Sequence, residues 1–353
     1  MISLESSEGA PRRTRVSAAT VARAAGVSTA TVSYVFNDRP GVSEETRRLV
    51  LATAGDLGFV PARGLGNEHR RANIVALILS NIANPFYPEL SVGFSEAAQL
   101  RGYQVFLAHT DDDQESLTRA ISAMLDRSVD GIALAVARSD NASAVRQLRS
   151  AQVPLVQISR KFPHVEADFV GIDDLQAASE MMKHALGHQR WPLATVVGPR
   201  TSSASAAREE GFVTEAESAG VVIPGPQRVS VPLSLQGGRA AADHLLSLPN
   251  PPRFILCGSD VLALGVMSHA LERGLRIPED VAISGFDGIE IAGTPMIDLT
   301  GIVQPRRTMS TRALEILTDQ IEHHSLTTTS LAVPHTMRIG RTCGCASKGK
   351  QNS

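Results

Sequence analysis

Three groups of side chains in this chain have the types and spacing to do chemistry. The first is a run of short hydroxyls in "VARAAGVSTATVSYVFNDRPGVSEETRRLV": Ser28, Thr29 and Thr31 beside Ala30, then Ser33, Tyr34 and Asn37. A helix facing a protein core would carry more Leu and fewer hydroxyls. Hydroxyls at helical spacing can instead meet base edges and phosphate oxygens in a groove of DNA. The second group follows a series of short apolar runs. "SNIANPFY" succeeds Ile74–Leu79, "HTDDD" succeeds Gln104–Ala108, and Ser159-Arg160 succeeds Leu155–Ile158. "GPRTSS" follows Leu193–Val197, "GSD" follows Phe254–Cys257, and "GFDG" follows Val281–Ser284. Polar groups gathered at one end of parallel strands are suited to hold a ligand, although Asp260 could simply cap a helix. The third group is Cys343-Gly344-Cys345. This pair could ligate a metal, but no Cys or His pair at zinc spacing is expected to complete it.

None of these groups has the form of a catalytic apparatus. The chain lacks a GxGxxG after its first strand, a phosphate-binding loop, a GxSxG and an HExxH. His109 with Asp111–Asp113 comes nearest to a catalytic cluster, and a strand-end loop explains it. No enzyme activity, metal or cofactor is expected.

The elements that must position these residues fall into three regions. Residues 16–61 read as helical, 62–73 as a polar, Gly-containing connector, and 74–345 as alternating strands and helices, with tails at 1–15 and 346–353. In the first region Ser17 can cap a helix over Ala18–Ala25, and Gly26 can end it in a left-handed conformation. Ser28 can cap a second helix over Thr29–Phe36, which points Val32, Val35 and Phe36 inward. Ser43 caps a third, whose Leu49, Val50 and Leu57 are expected to close a small core. In the long region, helical patterns cover Glu89–Arg101, Ser116–Arg127, Leu175–Leu186, Ala207–Ala219, Gly238–Leu246 and Val261–Arg273. Alternation at this spacing implies parallel sheets covered by helices, and the length implies two doubly wound halves.

Composition agrees with such a molecule. Hydrophobic residues make up 43% of the 353 and charged residues 20%, so a packed core is attainable. The net charge of −2 conceals a local bias, because Pro11 to Arg63 carries eight Arg against four acids. The opening "MISLESSEGAPRR" lacks the apolar run of a secretory signal, and no apolar stretch reaches the roughly 20 residues of a membrane span. Three Cys form no disulfide framework, which suits a reducing cytoplasm.

Residues 21–61 closely resemble the DNA-binding headpiece of the LacI/GalR family of bacterial repressors, without a gap over about 40 residues. That resemblance implies base-reading positions at Thr29, Ala30 and Tyr34, and phosphate contacts from Ser28, Thr31, Ser33 and Asn37. Tyr34 departs from the Arg or His of many members, so their operator preference does not carry over. The connector "PARGL" is shorter than the family's hinge; Leu65 is its candidate minor-groove wedge, with Arg63 beside it. "NPFYPEL", "RSVDGIAL", "GHQR", "REEGF", "CGSDVLALGVMSHALERGLRIPEDVAISGFDG" and "IVQP" resemble the family's periplasmic-binding-protein-like core. By that likeness Phe86 and Tyr87 wall an effector pocket, Arg208 grips the effector, and Asp287 accepts its hydrogen bonds. Arg160, Asp111 and Asp260 are further candidates, and Arg208 with Asp287 could alternatively be a buried ion pair steadying the cleft. Ser159 departs from a common Asp, and Trp191-Pro192 resembles a two-residue insertion.

The implied function is a cytoplasmic regulator, foremost a repressor, that binds a near-palindromic DNA operator as a homodimer. A small effector, a sugar or alternatively a nucleobase, would control it, or else a protein co-repressor. A solute-binding protein is the rival from another class. The last residues, "ASKGKQNS", hold no leucine heptads, so no tetramerising helix is expected.

Overall fold

The computed structural model describes residues 17–36, 40–57, 59, 72–136, 142–161, 167–323 and 328–345, so the expectations placed on Asn37, Arg63 and Leu65 lie outside it. It divides into two compact units, Met1–Arg71 and Ala72–Ser353. Among the described residues no helix is long and apolar enough to cross a membrane.

The first unit holds α1 (Ala18–Ala25), α2 (Thr29–Phe36) and α3 (Glu44–Asp56). Their ends are set by local chemistry. The Ser17, Ser28 and Ser43 hydroxyls accept from the amides of Thr20, Thr31 and Thr46, and Gly26 ends α1 at φ 66°. Val21, Ala22, Ala25, Val32, Val35, Val50 and Ala54 form the core, with Phe36 half-buried and edge-on to Phe59 at 5.4 Å. Two expected members are not in it: Leu49 is 51% exposed and Leu57 37% exposed. The inward stripe of α3 runs through Val50 and Ala54, one helical turn apart, which turns Leu49 outward.

The second unit begins β1 (Ile74–Leu79), α4 (Phe86–Leu100), β2 (Gln104–His109), α5 (Gln114–Asp126), β3 (Gly131–Ala135), α6 (Ala142–Ser150), β4 (Leu155–Ile158) and β5 (Asp168–Gly171). It continues α7 (Asp174–Gly187), β6 (Leu193–Val197), α8 (Ser203–Ser218), β7 (Arg228–Ser230), α9 (Leu235–Leu246), β8 (Phe254–Cys257), α10 (Asp260–Glu272), β9 (Ala282–Asp287) and β10 (Thr300–Val303). It closes with α11 (Arg306–His323), β11 (Ser330–Ala332) and β12 (Thr336–Arg338). These strands build two six-stranded sheets, β11-β5-β4-β3-β1-β2 and β12-β10-β9-β8-β6-β7. All strand pairs are parallel except β10 with β12.

Each sheet is the middle layer of a lobe. The same winding, second strand outside the first and the rest added on the other side, recurs in both. The chain passes between lobes after β5, returns after β10 so that α11 packs on α4, β3 and β4, and passes again from β11 to β12. The central strands are buried on both faces, which is why "IVALIL" and "LATVV" read as continuous apolar runs. In such a winding, the crevice beyond the carboxyl ends of the strands is where a ligand can be held.

Candidate functional site

In the first unit, α2 presents Thr29, Ala30, Ser33 and Tyr34 outward, Tyr34 being 41% exposed, while Val32 and Val35 are buried beneath them. Ser28 is also exposed. Thr31 is half-buried, with its hydroxyl 2.9 Å from that of Ser28, so these two residues finish the helix terminus. The first turn of α2 thereby offers amide N–H groups and hydroxyls together, a combination that attracts phosphate. Arg47 of α3 donates to the Val35 carbonyl at 3.3 Å and ties the end of α2 to α3.

In the second unit, a cleft opens between the lobes at the carboxyl ends of β4, β6, β8 and β9. One wall comes from Asn84, Phe86, Tyr87, Ser159 and Arg160; the other comes from Ser202, Ser205, Arg208, Ser259 and Asp287, with Ala204 and Leu233. The Asn84 side chain accepts from the Phe86 amide at 3.1 Å and starts α4, setting the Phe86 and Tyr87 rings edge to face at 5.3 Å. Both rings are buried, and burial raises the Tyr87 phenol above its ordinary value, so it remains a neutral donor.

Charges in the cleft are buried and cross-linked. Arg208 on α8 donates through Nε to Asp174 at 2.8 Å, and through Nη1 to Asp287 at 3.0 Å and the Gly258 carbonyl at 2.6 Å. Its guanidinium lies 3.9 Å from the Phe286 ring centroid. Burial works against this charge, but Asp174 and Asp287 outweigh it and raise the Arg208 pKa. Burial is also what raises both carboxyls. On the other wall Arg160 donates to both carboxylate oxygens of Asp112, at 3.1 and 2.9 Å, and its guanidinium lies 5.7 Å from the centroid of the Tyr87 ring.

The backbone is unusual at the same place. Ser159 has φ 66° and Asp287 φ 114°, values that non-glycine residues seldom adopt and that tend to cluster at binding sites. Asp287 is held there by Gln304, which donates to Oδ1 at 2.8 Å, and by Arg306, which donates to its carbonyl. α7 and α8 can bring Asp174 against Arg208 because Gly211 lets them touch: a Cβ there would lie 2.4 Å from the Leu175 carbonyl.

Three expectations need correction. Asp111 is not in the cleft; it is exposed, with Oδ1 3.8 Å from His109 Nδ1, and its neighbour Asp112 meets Arg160. Both aspartates lie in a turn past β2 with left-handed backbone, φ 51° and 57°, and the sequence does not say which of two turn residues faces inward. Asp260 is fully buried behind the cleft, its Oδ2 accepting from the Ile289 amide at 2.8 Å, so it braces the chain just past the end of β9. Nor does it cap α10, since Ser259 does. Finally, the Cys343/Cys345 pair does have a matching pair: His184 and His188, one turn apart on α7, meet it in space. Cys345 stands 157 residues from His188 and 161 from His184 along the chain, and only the fold joins them. Asp174, Ser202, Ser205 and Gln304 were not singled out from the sequence; "GPRTSS" placed Ser202 at a strand end without telling that its side chain faces the cleft, and Ser205 lies two residues beyond that motif.

Comparison with known proteins fits this geometry. Residues 72–339 match the model described as periplasmic binding proteins and sugar binding domain of the LacI family, and residues 14–62 match that of the bacterial regulatory proteins, lacI family. The chain belongs to the LacI family. This LacI-family chain is 34% identical over 292 residues to the HTH-type transcriptional regulator DegA of Bacillus subtilis (strain 168), covering 82% of this chain and 86% of the relative. It is 30% identical over 311 residues to the ribose operon repressor of Escherichia coli (strain K12), covering 87% and 93%. Among solved structures, a transcriptional regulator CelR–cellobiose complex superposes with a TM-score of 0.71 at 26% identity, covering 93% of this chain and all of that one. The chain is thus a LacI-family transcriptional regulator, with a helix-turn-helix unit and a periplasmic-binding-protein-like core; its relatives are regulators rather than enzymes.

Proposed function

We propose that this regulator represses transcription as a homodimer on a near-palindromic operator, and that a sugar or close derivative bound between the lobes sets its operator affinity. Thr29, Ala30 and Tyr34 read base edges, while Ser28, Thr31 and Ser33 hold phosphates, together with Asn37. Tyr34 can donate one hydrogen bond and pack its ring, but it cannot fork onto guanine as Arg does.

The observation that carries the effector reading is the Arg208–Asp287 pair set beneath aromatic walls. A guanidinium and a carboxylate side by side match adjacent hydroxyls, which each donate and accept, and Phe86 and Tyr87 give a sugar ring an apolar face. Ser202 Oγ is buried at the cleft without a partner among the described residues, and suits a further hydroxyl. The CelR–cellobiose complex and the ribose operon repressor support a sugar over a nucleobase. Because the lobes are joined by three crossings, ligand held by both walls would favour one relative angle of the lobes, and operator affinity would be coupled to it.

The test is a melting-temperature screen of the purified chain against pentoses, hexoses, disaccharides, nucleosides and nucleobases, followed by operator titration with each hit. A sugar that raises the melting temperature by mass action and shifts operator affinity supports the reading. A nucleobase that does so alone, or an operator response to protein extracts with no small-molecule shift, overturns the sugar assignment.

A further inference from the structure

We infer that His184, His188, Cys343 and Cys345 form a closed four-ligand site for zinc, a structural metal that fastens the C-terminal segment of the core to α7. The four donor atoms all lie within 4.8 Å of one another. His184 Nε2 and His188 Nε2 are 3.2 Å apart, and Cys345 Sγ lies 3.5 Å from His188 Nε2 and 3.9 Å from His184 Nε2. With Zn–N near 2.0–2.1 Å and Zn–S near 2.3 Å, a regular tetrahedron has N···N edges of about 3.3 Å and S···N edges of about 3.5 Å. The protein therefore already holds three of the four donor atoms near the spacing that zinc requires, with Cys343 Sγ within 4.8 Å of each. Two imidazole nitrogens facing each other at such range need a shared proton or a cation between them.

Each half of the site is shaped by the fold. The histidines are four residues apart, His184 in the last turn of α7 and His188 at its C-cap, so they meet at the helix end where the dipole favours a cation. Gly344 stands between the cysteines at φ 83°, a left-handed turn. The short turn Arg341–Cys343 is pinned from beneath: the Thr342 hydroxyl donates to the Ile283 carbonyl at 2.7 Å and accepts from the Thr300 amide at 3.0 Å. Those anchors belong to β10 and β9, so the Thr342 side chain ties the cysteine turn to two strands and brings the thiols to the histidines. The Phe254 ring, 5.8 Å from that of His188, supplies an apolar wall.

Two thiolates and two neutral imidazoles neutralise the charge of a divalent zinc, and four protein ligands leave no open position for substrate. Binding displaces two thiol protons to solvent. The site lies at the far end of α7 from Asp174, which touches Arg208, so zinc would brace the helix that carries a cleft residue without entering the cleft itself.

The experiment uses the full, untagged chain purified under reducing conditions. About one zinc per chain is expected by elemental mass spectrometry, falling below about a tenth in Cys345→Ser and in His188→Gln. Chelated protein titrated with Co2+ alone should develop intense tetrahedral d–d bands and a thiolate-to-cobalt charge-transfer band, reversed by added zinc. The cobalt spectrum is read on the unaltered sequence, so it stands even if a variant misfolds. Purified protein without metal that gives only a weak octahedral cobalt spectrum overturns the inference. So does a Cys343–Cys345 disulfide found by mass in reduced cytosolic preparations, or full metal content in both variants.

Discussion

The outer face of α2 and the cleft both gather hydroxyls beside a tyrosine, and the cleft adds two arginines, an aspartate and a second ring; the two regions treat their polar groups oppositely. On α2 the polar groups stand on a single helix, exposed, above a core of Val32 and Val35. In the cleft they arrive from the ends of many elements, are buried, and the charged ones pair with each other. An exposed hydroxyl is already hydrated and can exchange water for a base edge with little net loss. A buried guanidinium must be compensated at once, which Asp174 and Asp287 do. Reading a duplex requires an open face; gripping a small polar ligand requires charges held in advance.

The sharpest way to break this contrast is Arg208→Ala. Loss of two or more charge-assisted bonds, each about 1.5–3 kcal/mol, should weaken the effector identified by the melting screen at least about a hundredfold in calorimetric titration. Operator binding without effector should persist, since that face is on the other unit. Unchanged effector affinity would move the pocket elsewhere.

Tyr34→Ala should act on the other side of the comparison and by less. Discrimination between the operator and a scrambled duplex, measured by competition binding, should drop about ten- to a hundredfold, or about 1–3 kcal/mol. Binding to the scrambled duplex should hold. An equal loss on both sequences would mean that Tyr34 only touches the backbone.

The smallest effect concerns Asp260. Burial first, then the nearby Asp287 carboxylate, pushes its carboxyl up to about 8 from an ordinary 3.8. A raised acid stabilises the fold fully below the unfolded value, and that stability is lost as pH rises toward the folded one. Asp260→Asn removes the titration, so its unfolding free energy should gain on the parent by about 1 kcal/mol per pH unit between about pH 5 and 7. Parallel pH profiles from urea melts would show that Asp260 is not held neutral.

Much of the architecture was legible from local patterns. Helices α1 and α2 and strands β1, β3, β4, β6 and β8 lie at their expected bounds, because each combines an apolar period or run with a cap or turn residue at its end. Strands β5, β7, β10, β11 and β12 were not foreseen; they are three or four residues long and exist because a distant neighbour completes their hydrogen bonds. The long helix α11 was likewise not singled out, although Met309, Ala313, Leu317 and Ile321 recur every four residues along its buried side.

The amino-acid sequence alone determined the helix-turn-helix unit, its outward hydroxyls and the two-lobed parallel architecture, and its family resemblance named Phe86, Tyr87, Arg160, Arg208 and Asp287, which line the cleft. These depend on caps, on periodicity within one element, and on motif wording, all of which are local. Tertiary structure alone decided that Asp112 rather than Asp111 meets Arg160, that Asp260 braces from behind, that Asp174 shares Arg208, and that two histidines on α7 meet two cysteines near the end of the core. Each of those depends on the direction in which a side chain leaves a strand or helix end and on which distant element lies opposite, and packing sets both.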